Sequence, residues 1–373
     1  MMRTILSART VFDGWSCFHD HEVVLDGDRI VTLRPATRPP LPGILAPGLI
    51  DLQVNGGGGW MVGGDATPER LAALCDTHAG LGATGILPTL ITDTPAATAA
   101  VIAAGAQTRA PGFLGLHLEG PHLDPRRHGA HDPALIRPMA PPDLAALAAA
   151  ARALPALVVT LAPTAVTPDQ IAQLTAAGVR VSLGHAECSF DQAMAARAAG
   201  ARMVTHLFNA MSPLAHRAPG LAGAALAGDF AAGIIADGVH VHPAALAIAL
   251  RAKAESDLYL VTDAMAPAGT DAPRFTLGGR EILRQGGSLR LADGTLAGAD
   301  LTLPRAIAQI VAAGAPLERA LAMATRIPAD LVGAADRGRL RPGARADLVL
   351  LDGAGGLARV WRGGEEVPSP APN

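Results

Sequence analysis

From about residue 46 the chain repeats one unit: a short apolar run, a polar or glycine-containing loop, then an alanine-rich helical stretch. Eight runs carry the strand signature: GLIDLQV, ATGILPT, FLGLHLE, LVVTLAP, RVSLGH, MVTHLF, GIIAD and LYLVTD. Strands that alternate with helices return to the same sheet edge in parallel, and eight such alternations predict a closed α/β fold of the (β/α)8 TIM-like barrel type. In that architecture reactive side chains belong at the carboxyl ends of the strands.

The two ends of the chain read differently. HEVVLDGDRIVTLRP near the start, and ADLVLLDG and ARVWRGGEEV near the end, are short β runs punctuated by DG and GG turns. Separated in sequence by the whole barrel, they can pair as one small β domain. A further GG-containing excursion, from about Asp271 to Gly298, reads as a hairpin inserted after the eighth strand.

A formal net charge of -3 and only 3% aromatic residues leave neither a basic stripe nor a stacking platform, which excludes nucleic acid as the expected partner. Apolar runs such as ALPALVVTLAPTAVTP are interrupted by prolines, and MMRTILSARTVFDGW lacks an adequate signal-peptide core. No membrane association is expected. Cys17, Cys75 and Cys188 are odd in number and widely spaced, so neither a disulfide framework nor a zinc knuckle is indicated. A cytoplasmic protein is the expectation.

With the strands placed, four reactive residues fall at carboxyl ends. Glu119 ends FLGLHLE, His185 ends RVSLGH, His206 lies in MVTHLF and Asp263 ends LYLVTD. One carboxylate and two imidazoles with an open position for water are a common ligand set for a catalytic divalent ion. Taken singly, each histidine is more often a hydrogen-bonded core or loop residue, and Glu119 is as readily a loop anchor. Their coincidence at strand ends favours the metal reading.

The ordered motifs LHLEGPH, GHA, THLFNAM, PGLAGA, IIADGVHV and VTDAMAPAG resemble the N-acetylglucosamine-6-phosphate deacetylases of the amidohydrolase superfamily. The resemblance runs from PGLIDLQVNGGGG to RADLVLLD, nearly the whole chain. It implies a distorted barrel over residues 46–337 and a small β-sandwich domain built from residues 1–45 and 338–373. It also implies a homodimer.

Many amidohydrolases hold two metals with a His-x-His on the first strand and a carboxylated lysine. Here the first-strand positions are Gln53 and Asn55, and the sole lysine, Lys253, follows the seventh strand. Neutral amides are poor ligands beside imidazole. The resemblance therefore implies one divalent metal ion per chain, held by Glu119, His185 and His206. Zinc is the default, with Fe2+, Mn2+ or Co2+ able to occupy such a site. Gln53 and Asn55 are expected to satisfy buried polar groups at the barrel mouth. The glycines from Gly56 to Gly59 suit either an anion cradle or a tight turn.

Asp263 is expected to be the general base, taking a proton from metal-bound water and returning it to the departing amine. By resemblance, His131 contacts the carbonyl oxygen and stabilises the oxyanion, while His122 and His128 are loop residues. The same resemblance makes Asn209, the backbone of Ala210, Arg217 and His240 substrate contacts, with Arg217 reaching the phosphate across the dimer interface. His216 beside it joins the phosphate site or faces solvent.

The expected reaction removes acetate from N-acetyl-D-glucosamine 6-phosphate in amino-sugar catabolism. The same chemistry on the galactosamine epimer is a close alternative. A cyclic amidase is opposed by the missing His-x-His and bridging lysine, and an inactive sugar-phosphate-binding barrel by the intact strand-end set.

Overall fold

The computed structural model describes residues 3–352 and 355–368. Its centre is an eight-stranded parallel sheet in sequence order: Leu49–Val54, Ala83–Ile91, Leu116–Glu119, Leu157–Leu161, Arg180–Leu183, Met203–Val204, Ala231–Ile234 and Leu258–Leu260. Each is one of the runs read as strands. The ring closes where Asp263 N donates to Gln53 O at 3.0 Å and Asn55 N donates to Ala264 O at 2.8 Å. Every residue of Leu49–Val54 is buried, as a strand covered by barrel interior on one face and helices on the other must be.

The helices start on a repeated local signal. Thr67, Thr94 and Thr167 each accept a backbone N–H three residues on, and each precedes a proline at the first helical position. Replacing such a cap with alanine typically costs about 1 kcal/mol. The helices Pro68–Gly80, Pro95–Gln107 and Pro168–Ala176 begin at these pairs.

The barrel is distorted where its chemistry lies. The sixth strand has two residues only and stops before His206, whose φ of 30° is incompatible with extended backbone. The first strand instead runs into the glycines. Gly56, Gly58 and Gly59 donate their N–H groups to the carbonyls of Ala264, Ala268 and Ala266 at 3.0, 2.8 and 2.8 Å. A Cβ on Gly57 would sit 2.8 Å from His78 Nε2. These glycines make a close-packed turn, and three of their amides are already committed rather than offered to an anion.

The chain termini meet in one seven-stranded sheet. Leu41–Pro47 pairs antiparallel with Leu348–Leu351, joining the N-terminal strands to the C-terminal ones. This sheet packs its own apolar cluster, including Val11, Val23, Ile30, Leu348 and Trp361.

The excursion after the eighth strand is larger than a hairpin. Arg274–Leu277, Arg280–Gln285, Ser288–Arg290 and Leu296–Ala299 form a four-stranded antiparallel meander. The physical reason is three turns instead of one. Gly278-Gly279 and Gly286-Gly287 have both φ values positive, as tight hairpin turns require, and Gly294 closes the third at φ 88°. Among the described residues no helix is long and apolar enough to cross a membrane.

Candidate active site

Among the described residues, left-handed φ occurs at six non-glycine positions, and five of them are His185, His206, Phe208, Ala210 and Asp263. Such backbone is costly and persists where surrounding structure enforces it, often at functional sites. Here it ends the fifth, sixth and eighth strands abruptly. The side chains of His185, His206 and Asp263 are thereby turned into a cavity of about 310 Å³ at the carboxyl end of the barrel, together with Glu119 and His131.

Three donor atoms converge there. Glu119 Oε1 lies 3.2 Å from His185 Nε2 and 3.0 Å from His206 Nε2, and the two imidazole nitrogens are 3.0 Å apart. Ligands about 2.0–2.1 Å from a tetrahedral ion are separated by roughly 3.3 Å, close to these edges. Tautomers sharpen the comparison. His185 Nδ1 donates to Arg127 O at 2.8 Å, so in the neutral ring the lone pair is on Nε2, the atom that would bind an ion. Nδ1 of His206 is buried with no hydrogen-bond partner among the described residues.

Glu119, His131 and His185 also offer ligand atoms within 4.8 Å of one another. His131 is the weaker third donor. Its Nδ1 accepts the Thr92 backbone N–H at 3.2 Å, so the neutral ring carries its proton on Nε2. Burial, then the charge of His185, pushes the His131 pKa well below the usual imidazole range. This side chain is a neutral N–H donor, suited to a carbonyl oxygen or a developing oxyanion.

The first-strand amides tie the carboxylates together. Gln53 Nε2 donates to Glu119 Oε1 and to Asp263 Oδ1, both at 3.1 Å, and Asn55 Nδ2 donates to Asp263 Oδ1 at 2.6 Å. These contacts match the role expected of Gln53 and Asn55. Burial opposes ionisation of Glu119, yet hydrogen bonds and charge from His185 and His206 hold its pKa well below the usual value. Asp263 moves the other way. Burial and the nearby Glu119 charge raise it to about 6, against the lowering effect of His206, His240 and the Asn55 hydrogen bond. Two buried carboxylates are thus pushed apart, one ionised and one poised to exchange a proton.

Asn209, Ala210 and His240 line the same cavity. His240 Nδ1 lies 2.6 Å from Asp237 Oδ2, which commits that nitrogen as the donor and leaves Nε2 for a ligand. Arg217 is elsewhere. It is exposed on the loop before the helix Gly220–Ala227 and borders a second cavity of about 700 Å³. The structure does not bring it into the site of its own chain, and neighbouring His216 is likewise exposed. His122 Nδ1 lies 3.1 Å from Arg137 O, a structural contact.

Several contributors were not singled out from sequence. Arg126 and Arg127 line the cavity, but Arg126 is paired with Asp124 and Arg127 with Glu187. Thr92 orients His131, and Asp237 orients His240. Leu277 and Leu296 from the meander also line the cavity. The run RRHGAH advertised charge at this rim; nothing in sequence advertised its pairing.

Residues 44–367 match the Amidohydrolase family. The chain belongs to that family. It is 40% identical over 328 residues to an N-acetylgalactosamine-6-phosphate deacetylase of Shewanella sp. (strain ANA-3), covering 87% of this chain and 83% of the relative. It is 37% identical over 341 residues to an N-acetylglucosamine-6-phosphate deacetylase of Danio rerio, covering 87% and 84%. Among solved structures, a mutant N-acetyl-D-glucosamine-6-phosphate deacetylase of Mycobacterium smegmatis in complex with N-acetyl-D-glucosamine-6-phosphate superposes with a TM-score of 0.90. That pair is 34% identical and covers 98% of this chain and 100% of the other. The barrel and the terminal sheet of this amidohydrolase are therefore those of a fold shared with N-acetyl-D-glucosamine-6-phosphate deacetylases.

Proposed function

We propose that this amidohydrolase hydrolyses the acetamide of N-acetyl-D-glucosamine 6-phosphate to D-glucosamine 6-phosphate and acetate, in amino-sugar catabolism. The observation that carries the reading is the convergence of Glu119, His185 and His206 on one point beside an Asp263 whose pKa is raised to about 6. One divalent ion, zinc in the first instance, fits the Glu119, His185 and His206 donor set. When bound, it supplies Lewis-acid polarisation and an acidified water.

The chain's own groups supply the rest. Glu119, held ionised, contributes the negative charge of the ligand set, and Gln53 fixes its orientation. Asp263 accepts a proton from the attacking water and delivers it to the amine nitrogen as the C–N bond breaks. His131 donates its Nε2 proton in a hydrogen bond to the amide oxygen, with Thr92 holding the tautomer. Asn209, the Ala210 backbone and His240 orient the sugar phosphate.

The two guanidinium groups lining the cavity are already engaged with Asp124 and Glu187. A phosphate dianion needs a further cation, which supports Arg217 from a second copy of the chain, in a homodimer. A cytoplasmic location is supported by three free cysteines, of which the buried Cys75 and Cys188 have thiols pushed by desolvation to about 12 and about 11. The galactosamine epimer is a second reading, favoured by the 40% identity to the Shewanella enzyme. The test is acetate release from both 6-phosphorylated epimers by metal-loaded protein. Release from the glucosamine substrate at the higher kcat/KM is expected; release from neither would overturn the reading.

A further inference from the structure

We infer that the four-stranded meander is a clamp that positions the proposed base Asp263 and the proposed oxyanion donor His131, and that Gly298 is the contact through which it sets Asp263. The inference rests on the roles proposed for Asp263 and His131. It adds a part of the chain that contributes no reacting group.

The meander touches the backbone of Asp263 directly. Ala299 N donates to Asp263 O at 3.0 Å, and Ala299 pairs with Ala264 in a parallel bridge. On the other side, Asp263 N donates to Gln53 O at 3.0 Å. Both polar backbone groups of Asp263 are thus held, one by the first barrel strand and one by the meander, around a φ of 53°. A left-handed aspartate persists where its surroundings over-determine it. Here the meander supplies one of the two backbone hydrogen bonds.

Gly298 permits the approach. A Cβ at this position would lie 2.8 Å from Asp263 O, 2.3 Å from Met265 Cγ and 2.6 Å from Met265 Sδ. Its φ of 69° also disfavours any other residue. Since the Asp263 carbonyl is backbone, it cannot rotate out of the way as a side chain would. Any residue larger than glycine must push the meander off Asp263 or drag Asp263 with it.

Elsewhere the meander reaches Ala130, next to His131. Arg280 donates to the carbonyl of Ala130, the residue immediately before His131. Ala130 also packs against the meander's own apolar cluster of Met265, Leu277, Ile282, Leu289 and Ala297. Because this cluster is separate from the main barrel core, disturbing the meander need not unfold the barrel. One element therefore contacts Asp263 and the neighbour of His131, residues that belong to different barrel loops.

Gly294 provides the control. It lies in the same meander with φ 88°, and a Cβ there would meet nothing within 4 Å. Gly294→Ala imposes a comparable backbone penalty without touching Asp263. We expect Gly298→Ala to lower kcat for the 6-phosphorylated substrate by roughly tenfold or more, since small misplacements of reacting groups cost that much, with KM changing less than about threefold. Metal content should stay that of the wild-type protein, and Gly294→Ala should keep kcat within about threefold of it. Equal kcat for the two glycine variants, or a loss of metal in Gly298→Ala, overturns the inference. Should Gly298→Ala fail to fold, Arg280→Ala remains decisive: kcat should fall and Arg280→Lys should restore part of it. An unchanged kcat in Arg280→Ala overturns the clamp. Wild-type protein assayed alongside separates the two levels, because its failure to release acetate refutes the proposed reaction rather than the clamp.

Discussion

Asn55 donates its side-chain amide to Oδ1 of Asp263 at 2.6 Å, while its own Oδ1 is buried with no partner among the described residues. The donor stabilises the ionised carboxylate and so lowers the Asp263 pKa, partly offsetting the burial and Glu119 charge that raise it to about 6. Catalysis as the proposed base requires the ionised form, so activity should fall as low pH protonates Asp263. A bound cation shifts that limb downward in every variant. Asn55→Leu removes the donor, which should move the acidic limb of the kcat/KM profile to higher pH than in wild type. A limb that stays in place or moves lower would show that the hydrogen bond does not tune the base.

Metal stoichiometry follows from the ligand geometry. The three converging atoms of Glu119, His185 and His206 form the donor set proposed for one ion, while Gln53 and Asn55 are occupied with carboxylates. Metal analysis of fully active protein should approach one divalent ion per chain. Chelation should abolish acetate release and His206→Ala should lose the ion, whereas His131→Ala should keep it, because the His131 proton is on Nε2. Retention by His206→Ala together with loss by His131→Ala would exchange their roles.

Asp263→Asn keeps the shape of the side chain but removes the proposed base. Turnover should fall by about 10²–10⁴-fold, the usual magnitude for acid–base catalysis, with metal content unchanged. Near-normal turnover would leave Asp263 as an orienting group only.

The strand-end residues were legible because barrel architecture turns sequence order into proximity. Glu119, His185, His206 and Asp263 are far apart in the chain, yet ending parallel strands at one rim brings them together. The first-strand amides were legible as buried polar groups, but not their particular acceptors. Less legible were partners acting through backbone atoms. The Arg127 carbonyl that sets the His185 tautomer and the Thr92 N–H that sets that of His131 carry no side-chain signature. The meander was underestimated because its GG and DG pairs each mark a turn, and counting one excursion missed the strands between them. The glycine run was ambiguous until its amides found the carbonyls of Ala264, Ala266 and Ala268.

Arg217 offers the strictest test of the assembly, because it is exposed and outside the cavity of its own chain. Losing one member of a desolvated charge pair costs about 2–5 kcal/mol, so Arg217→Ala should lower kcat/KM for the phosphorylated sugar markedly, chiefly through KM. Activity on unphosphorylated N-acetylglucosamine should barely change, because that substrate has no phosphate to lose. A misfolded variant would instead depress both substrates together. If the arginine serves the partner's site, an Arg217→Ala chain still has an intact Asp263 and can borrow Arg217 from an Asp263→Asn chain. In a symmetric dimer, an equal random mixture places half the dimers in the hybrid form with one competent site each. Co-expressing the two defective chains should therefore restore about a quarter of wild-type activity. Arg217 acting within its own chain would give no such recovery, since the site with an intact base would still lack its arginine.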